Sequence, residues 1–132
     1  MLEILLMAWC VWVSLNLALI LVASFLIKPN QPCFTGLVVI IPTWLYDVLD
    51  QAEIDAVIAH EHGHRYHGHV WENFLRLCVF MPQTDERRRE QEFEADHYAE
   101  VRGHRQALAS ALLKFPGRAP DRQRVEKLTS KT

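Results

Sequence analysis

Residues 2–27, LEILLMAWCVWVSLNLALILVASFLI, restrict this chain more than any other stretch. They hold one acid, Glu3, no base, and only Ser14, Asn16 and Ser24 as further polar groups. At about 1.5 Å per residue, a helix of this length crosses a hydrocarbon core of about 30 Å with some tilt. A cleavable signal peptide would open on positive charge, carry a shorter apolar region and end in small residues. Here Glu3 is acidic and IKPNQPC follows the run. A buried core helix would keep a polar face, and this one is apolar nearly all round. The sequence therefore predicts an uncleaved transmembrane anchor over residues 1–27. Lys28 follows it directly and every other Lys and Arg lies further on, so the positive-inside rule places the C-terminal part in the cytoplasm. Three widely spaced cysteines, Cys10, Cys33 and Cys78, form no disulfide framework and suit a reducing compartment. The net charge of −2 argues against nucleic acid as a partner.

Behind the anchor there is room for one small domain. KPNQPCFTG reads as a linker, punctuated by Pro29, Pro32 and Gly36. LVVIIP, bounded by Gly36 and Pro42, predicts a short strand that ends at the proline or lies at a sheet edge. From Thr43 the pattern is helical, in two pieces. Asp50 is a good N-cap with Glu53 three residues later, and Ile54, Val57 and Ile58 form an apolar stripe. The run AVIAHEHGHRYHGH, residues 56–69, with five histidines and a glutamate, therefore continues a helix.

On that helix His60 and His64 lie one turn apart on one face and can reach a single metal ion, with Glu61 beside the first. His62 points to the far side. The spacing is HExxH, in which two imidazoles hold Zn²⁺ and the glutamate takes a proton from the water that attacks a peptide carbonyl. Two histidines and a carboxylate also suit iron, and the helical HExxH context selects zinc. A catalytic zinc needs a third protein ligand and an open position. The proline-free segment 85–115 offers one: Glu92 and Asp96 are four apart on one face, which Ala99 and Gly103 continue as small residues that let a neighbouring helix come close. Glu92 is the candidate third ligand, and Asp96 a candidate acceptor that orients a ligand histidine. Glu94 points elsewhere.

His60-Glu61-x-x-His64 followed by Glu92-Phe93-x-Ala95-Asp96 resembles the membrane-linked gluzincin metalloproteases, namely the CAAX prenyl protease and heat-shock-induced membrane protease family and the related β-lactam-sensing receptor proteases. The similarity extends upstream through FTGLVVIIPTWLYDVLDQAEIDAVIAHEHGH and covers about residues 34–100. The resemblance implies that His60, His64 and Glu92 bind zinc, that Glu61 is the base, and that the site faces the cytoplasm beside the membrane. The chain departs from the pattern at His62, where the family usually has an aliphatic residue, and at His69, where it often has an acid. Family members also tend to be larger, with several spans. Here VWENFLRLCVFMP, residues 70–82, is interrupted by Glu72, Asn73 and Arg76 and is too short to cross a bilayer, so an amphipathic helix packed on the domain or resting on the membrane is expected.

Other residues give weaker signals. His67 shares the face of His60 and His64 and is a candidate substitute ligand or proton donor. His97, Tyr98 and His104 are candidates for stabilising an oxyanion, and the spacing selects none of them. ERRRE, residues 86–90, is a solvated face or a contact for anionic lipid. Residues 116–132 read as a loose polar tail. The expectation is an α+β, mostly helical, minimal zincin-like domain over residues 28–115, behind one transmembrane helix. Its expected activity is hydrolysis of peptide bonds in proteins or peptides near the membrane, with Zn²⁺ as cofactor, alone or within a larger membrane assembly. The exposed edge of the LVVIIP strand would receive the substrate as an added strand. The alternative is a non-catalytic membrane-tethered zinc module in which the metal only clamps two helices.

Overall fold

The structure, a computed structural model, describes residues 1–26, 29–115 and 121–130. Lys28, whose charge set the predicted orientation, and the start of the predicted tail at residues 116–120 lie outside them.

Helix α1 (Leu2–Leu26) coincides with the apolar run, is long and apolar enough to cross a membrane, and is exposed over most of its length, with Trp12, Val13, Asn16, Ile20 and Ser24 partly or fully covered. Strand pairing follows it. The strand expected over LVVIIP is confined to β2 (Val39–Ile40), since Pro42 has no backbone donor to continue a ladder. Its antiparallel partner, β1 (Cys33–Phe34), lies in the segment read as linker, with Cys33 opposite Ile40 and Phe34 opposite Val39. The turn between them uses Gly36 at φ 105°, and the Thr35 hydroxyl receives a hydrogen bond of 2.8 Å from Ser24 of α1.

Helices α2 (Leu45–Val48) and α3 (Gln51–Tyr66) are the two expected pieces. Asp50 and Glu53 form a complete capping box: the Asp50 side chain accepts from the Glu53 amide and Glu53 accepts from the Asp50 amide, both at 2.9 Å. The buried Glu53 carboxylate also accepts from Ser110 and pairs with Lys114, each at 2.6 Å, which ties the start of α3 to a later helix. The helix does not run through the whole histidine stretch. Gly68, at φ 69°, breaks it, so that His67 caps α3 and His69 opens α4 (His69–Cys78).

The segment 85–115 is likewise two helices, α5 (Asp85–Glu100) and α6 (Arg105–Lys114). Gly103 takes φ 87° between them, with open space where a Cβ would stand, so it ends α5 instead of admitting a neighbour. The residue that admits one is Gly63 of α3. A Cβ there would lie 2.7 Å from Ala95 Cα and 2.9 Å from the Ala95 carbonyl oxygen. Helix α3 is central, crossed by α5 and α6 over a seam of small residues in which Ala56, Ala59, Ala95 and Ala99 are buried. A second cluster, Leu45, Leu49, Ile54, Val57 and Ala111, packs α2 against α3 and α6.

The region read as a loose tail contains α7 (Arg122–Thr129), capped by Asp121 and docked by Leu128, which is buried with Ala56, Ala99 and Leu108. Arg105 donates to the Leu128 carbonyl, and the Lys127 ammonium sits 4.0 Å from the centre of the Phe93 ring.

Candidate metal centre

Because α3 and α5 approach to backbone contact at Gly63 and Ala95, the side chains one turn earlier on each helix are brought face to face. His60, His64 and Glu92 converge, each offering one ligand atom within 4.8 Å of the others. His60 Nε2 and His64 Nε2 are 3.1 Å apart, and the Glu92 carboxylate stands 3.5 Å from the first and 3.7 Å from the second. Bonds of about 2.0–2.1 Å in tetrahedral array put neighbouring ligand atoms about 3.3 Å apart, so these donors fit one face of a zinc tetrahedron without rearrangement.

The far nitrogens of both rings are held, and that holding selects which nitrogen faces the site. His60 Nδ1 donates to Asp96 Oδ1 at 2.9 Å, so Nε2 is turned toward His64 and Glu92 and is the nitrogen that would ligate a metal in place of its proton. His64 Nδ1 lies 2.8 Å from His69 Nδ1, and His69 Nε2 lies 2.7 Å from Glu94 Oε2. With His64 donating to His69 and His69 donating to Glu94, every proton has an acceptor and His64 Nε2 is again free to ligate. Where the resembled families often carry an acid, this chain therefore uses a buried imidazole backed by a carboxylate. From the sequence Glu94 has no role beyond pointing away from Glu92, and His69 is only a departure from the family pattern; Gly68, by turning the chain back, brings His69 under His64.

Arg124 of α7 is a third residue to which the sequence analysis assigned no role. Its guanidinium binds Asp96 through Nε at 2.8 Å and Nη2 at 2.6 Å, and reaches Glu92 Oε2 at 2.7 Å through Nη1. Bidentate pairing of this kind fixes a carboxylate in both position and plane. The only sequence signal for it was an Asp-capped helical period in residues 121–129.

Charge in the cluster is strongly redistributed. Burial alone would push His60 down, but its hydrogen bonds to Asp96 and Glu92 outweigh that and hold the ring well above its ordinary value. His64, buried beside that positive ring, is driven well below its ordinary value. Burial acts to raise Glu92 and Asp96, yet the hydrogen bonds and charges of His60 and Arg124 keep both carboxyls below the usual range. Glu61 goes the other way. It is only 6% exposed, and burial raises its carboxyl above the ordinary value, with the charge of His60 and a backbone hydrogen bond at Phe34 of β1 partly opposing the shift. Strand β1 thus lies directly against Glu61.

A second group, His67, His69 and Glu94, also brings ligand-type atoms within 4.8 Å. His69 already has both ring nitrogens engaged, and Glu94 is shared with Arg87 at 3.3 Å, so this group serves the first site as a support. Replacing His69 by Ala should leave His64 Nδ1 without its partner and weaken zinc binding by about 10–100-fold, the usual effect of losing an outer-shell partner. Competition with a chromophoric chelator measures it; unchanged affinity would show that His69 plays no part in holding His64.

Residues 28–84 match the family model described as Peptidase family M48. The matched stretch covers under half of the chain, contains His60, Glu61 and His64, and stops before Glu92. No curated protein and no solved structure matches the chain. The family match supports a metallopeptidase, and the grouping of His60, His64 and Glu92 supports a metal site.

Proposed function

We propose that this chain is a membrane-anchored zinc endopeptidase of the peptidase M48 type, a minimal gluzincin that cleaves proteins or peptides close to the membrane. The observation that carries the reading is the triangle of His60 Nε2, His64 Nε2 and Glu92 with Glu61 beside it. Two helices supply the donors, both Nε2 atoms are turned into the site, and Glu61 is buried next to them. A zinc ion held there would supply a Lewis acid for a substrate carbonyl and an acidified water.

The remaining work falls to the chain's own groups. Glu61 accepts the proton of the attacking water on its carboxylate and carries it to the leaving amine. Asp96 and the His69–Glu94 pair hold the two imidazoles in register, and Arg124 fixes the plane of Asp96 and touches Glu92. Strand β1, against Glu61 and paired among the described residues with β2 alone, is the proposed rail along which an extended peptide is presented. Helix α1 is the proposed anchor, with the domain on the cytoplasmic side. Assembly with further membrane subunits is compatible with the small size of the domain.

The purified full chain in detergent should carry one zinc per molecule by mass spectrometry and cleave a quenched fluorescent peptide in a chelator-sensitive way. Glu92→Ala should lose both. A protein without stoichiometric metal, or one that keeps its zinc after Glu92→Ala, would sink the three-ligand site.

A further inference from the structure

The kind of metal site that His60, His64 and Glu92 can make depends on how many oxygens Glu92 contributes. A carboxylate ligates through one oxygen or through both. With both, the three residues fill all four positions of a zinc tetrahedron, which is the closed arrangement of a structural site. With one, a position stays open for water and substrate. The distances to the imidazoles do not choose between these. Glu92 Oε2 stands 3.5 Å from His60 Nε2, and Oε1 stands 3.7 Å from His64 Nε2, so each oxygen faces a ligand ring at almost the same range.

The symmetry is broken from α7. Arg124 Nη1 lies 2.7 Å from Glu92 Oε2. The guanidinium that makes this bond is held on its other side, where Nε and Nη2 grip the two oxygens of Asp96 at 2.8 and 2.6 Å, and Asp96 accepts in turn from His60 Nδ1 at 2.9 Å. Two nitrogens of the planar fork are thus fixed on Asp96, and the third is aimed at Glu92, one turn earlier on α5. The backbone end is fixed as well. The Arg124 amide donates to the capping Asp121 side chain at 3.3 Å, and Leu128, one turn further on, is buried in the core. With the Arg124 side chain only 11% exposed, water screens its charge-assisted bond to Oε2 poorly.

We propose that Arg124 restricts Glu92 to ligation through one oxygen by holding Oε2, and that this restriction is what keeps the metal site open. This rests on the reading of His60, His64 and Glu92 as the ligands. Arg124 is then a positioning residue, which acts on the metal through Glu92 and does not touch the reacting atoms. Its effect separates an enzyme from a clamp. Glu92 alone serves either, since a tethered module needs only a closed site, whereas hydrolysis needs the fourth position. Lysine would not substitute, because a point charge on a flexible stem cannot hold two carboxylates in fixed planes. Helix α7, in the stretch that reads as a loose tail, is on this basis a working part of the metal centre.

The test uses the full-length chain in detergent, stripped of metal and reloaded with Co²⁺, whose visible bands azide shifts only where it can enter the coordination shell. Wild type should hold one Co²⁺ per chain and respond to azide. Arg124→Met should also hold its Co²⁺ but lose both the azide response and peptide cleavage. Arg124→Gln, which keeps a polar group beside Asp96, should behave alike and is measured in parallel in case methionine unsettles the fold. An unchanged azide response in a variant that keeps its cobalt would overturn the proposal, since Glu92 would then stay a one-oxygen ligand without the arginine. Loss of cobalt from both variants, or unfolding of both by circular dichroism, would overturn it by making Arg124 a support of the site or of the domain. A wild type that holds Co²⁺ and ignores azide would overturn it and leave the three ligands standing, whereas a wild type that takes up no Co²⁺ would overturn the metal site itself.

Discussion

Glu61→Gln is expected to lower peptide cleavage by about 10²–10⁴-fold, the usual span for a lost general base, while the zinc content stays at the wild-type level. The amide keeps the shape of the carboxylate, so the packing of α3 against β1 should survive. What it cannot do is accept the proton of the attacking water. Metal retention is expected because Glu61 is not among the three converging donors, and the Nδ1 atoms of His60 and His64 are held by Asp96 and His69. Measuring activity and metal on the same preparation separates the enzyme from a tethered module in which zinc only clamps two helices. In the module, Glu61→Gln would change neither quantity, and a raised, buried carboxylate beside the ligands would have no use. Full activity in Glu61→Gln would therefore end the catalytic reading of this residue.

The parts of this fold that were legible in the sequence are those written in local chemistry. The long apolar run became α1, the Asp50 and Glu53 pair became a complete capping box, and helical periodicity put His60 with His64, and Glu92 with Asp96, on one face of its helix. What was not legible depended on where the chain turns. Two-residue strands such as Cys33–Phe34 are too short to show a period. Gly68 and Gly103 both look like small helix residues until their positive φ values show that they end helices. The break at Gly68 is the one that brings His69 and Glu94 behind His64, so a supporting pair was hidden by a misplaced helix boundary. Arg124 was hidden differently: it acts across a gap of 28 residues to Asp96, and nothing in a polar stretch announces a partner that far away. The pairing of Glu72 and Asn73 with α5 was likewise invisible, because it depends on where α5 comes to lie.

Gly63→Ala is expected to destabilise the domain and to cost zinc affinity as well, although alanine is intrinsically the better helix former by about 0.5–1 kcal/mol. The opposing effect wins because of what the new methyl would meet. It would stand 2.7 Å from Ala95 Cα, 2.9 Å from the Ala95 oxygen and 3.0 Å from Tyr98 Cβ. Two of these are backbone atoms, so no side chain can swing aside and α3 and α5 must separate. Overpacking of this kind costs about 1–3 kcal/mol, enough to reverse the propensity gain. The separation also widens the gap between His60 and His64 on one helix and Glu92 on the other, which draws the third donor away from the two imidazoles and lowers zinc affinity. Thermal unfolding of the metal-free chain reads the first effect, and a chelator competition reads the second. Should Gly63→Ala prove more stable, with zinc affinity unchanged, the close crossing of these two helices is wrong, and with it the geometry that joins Glu92 to the histidines.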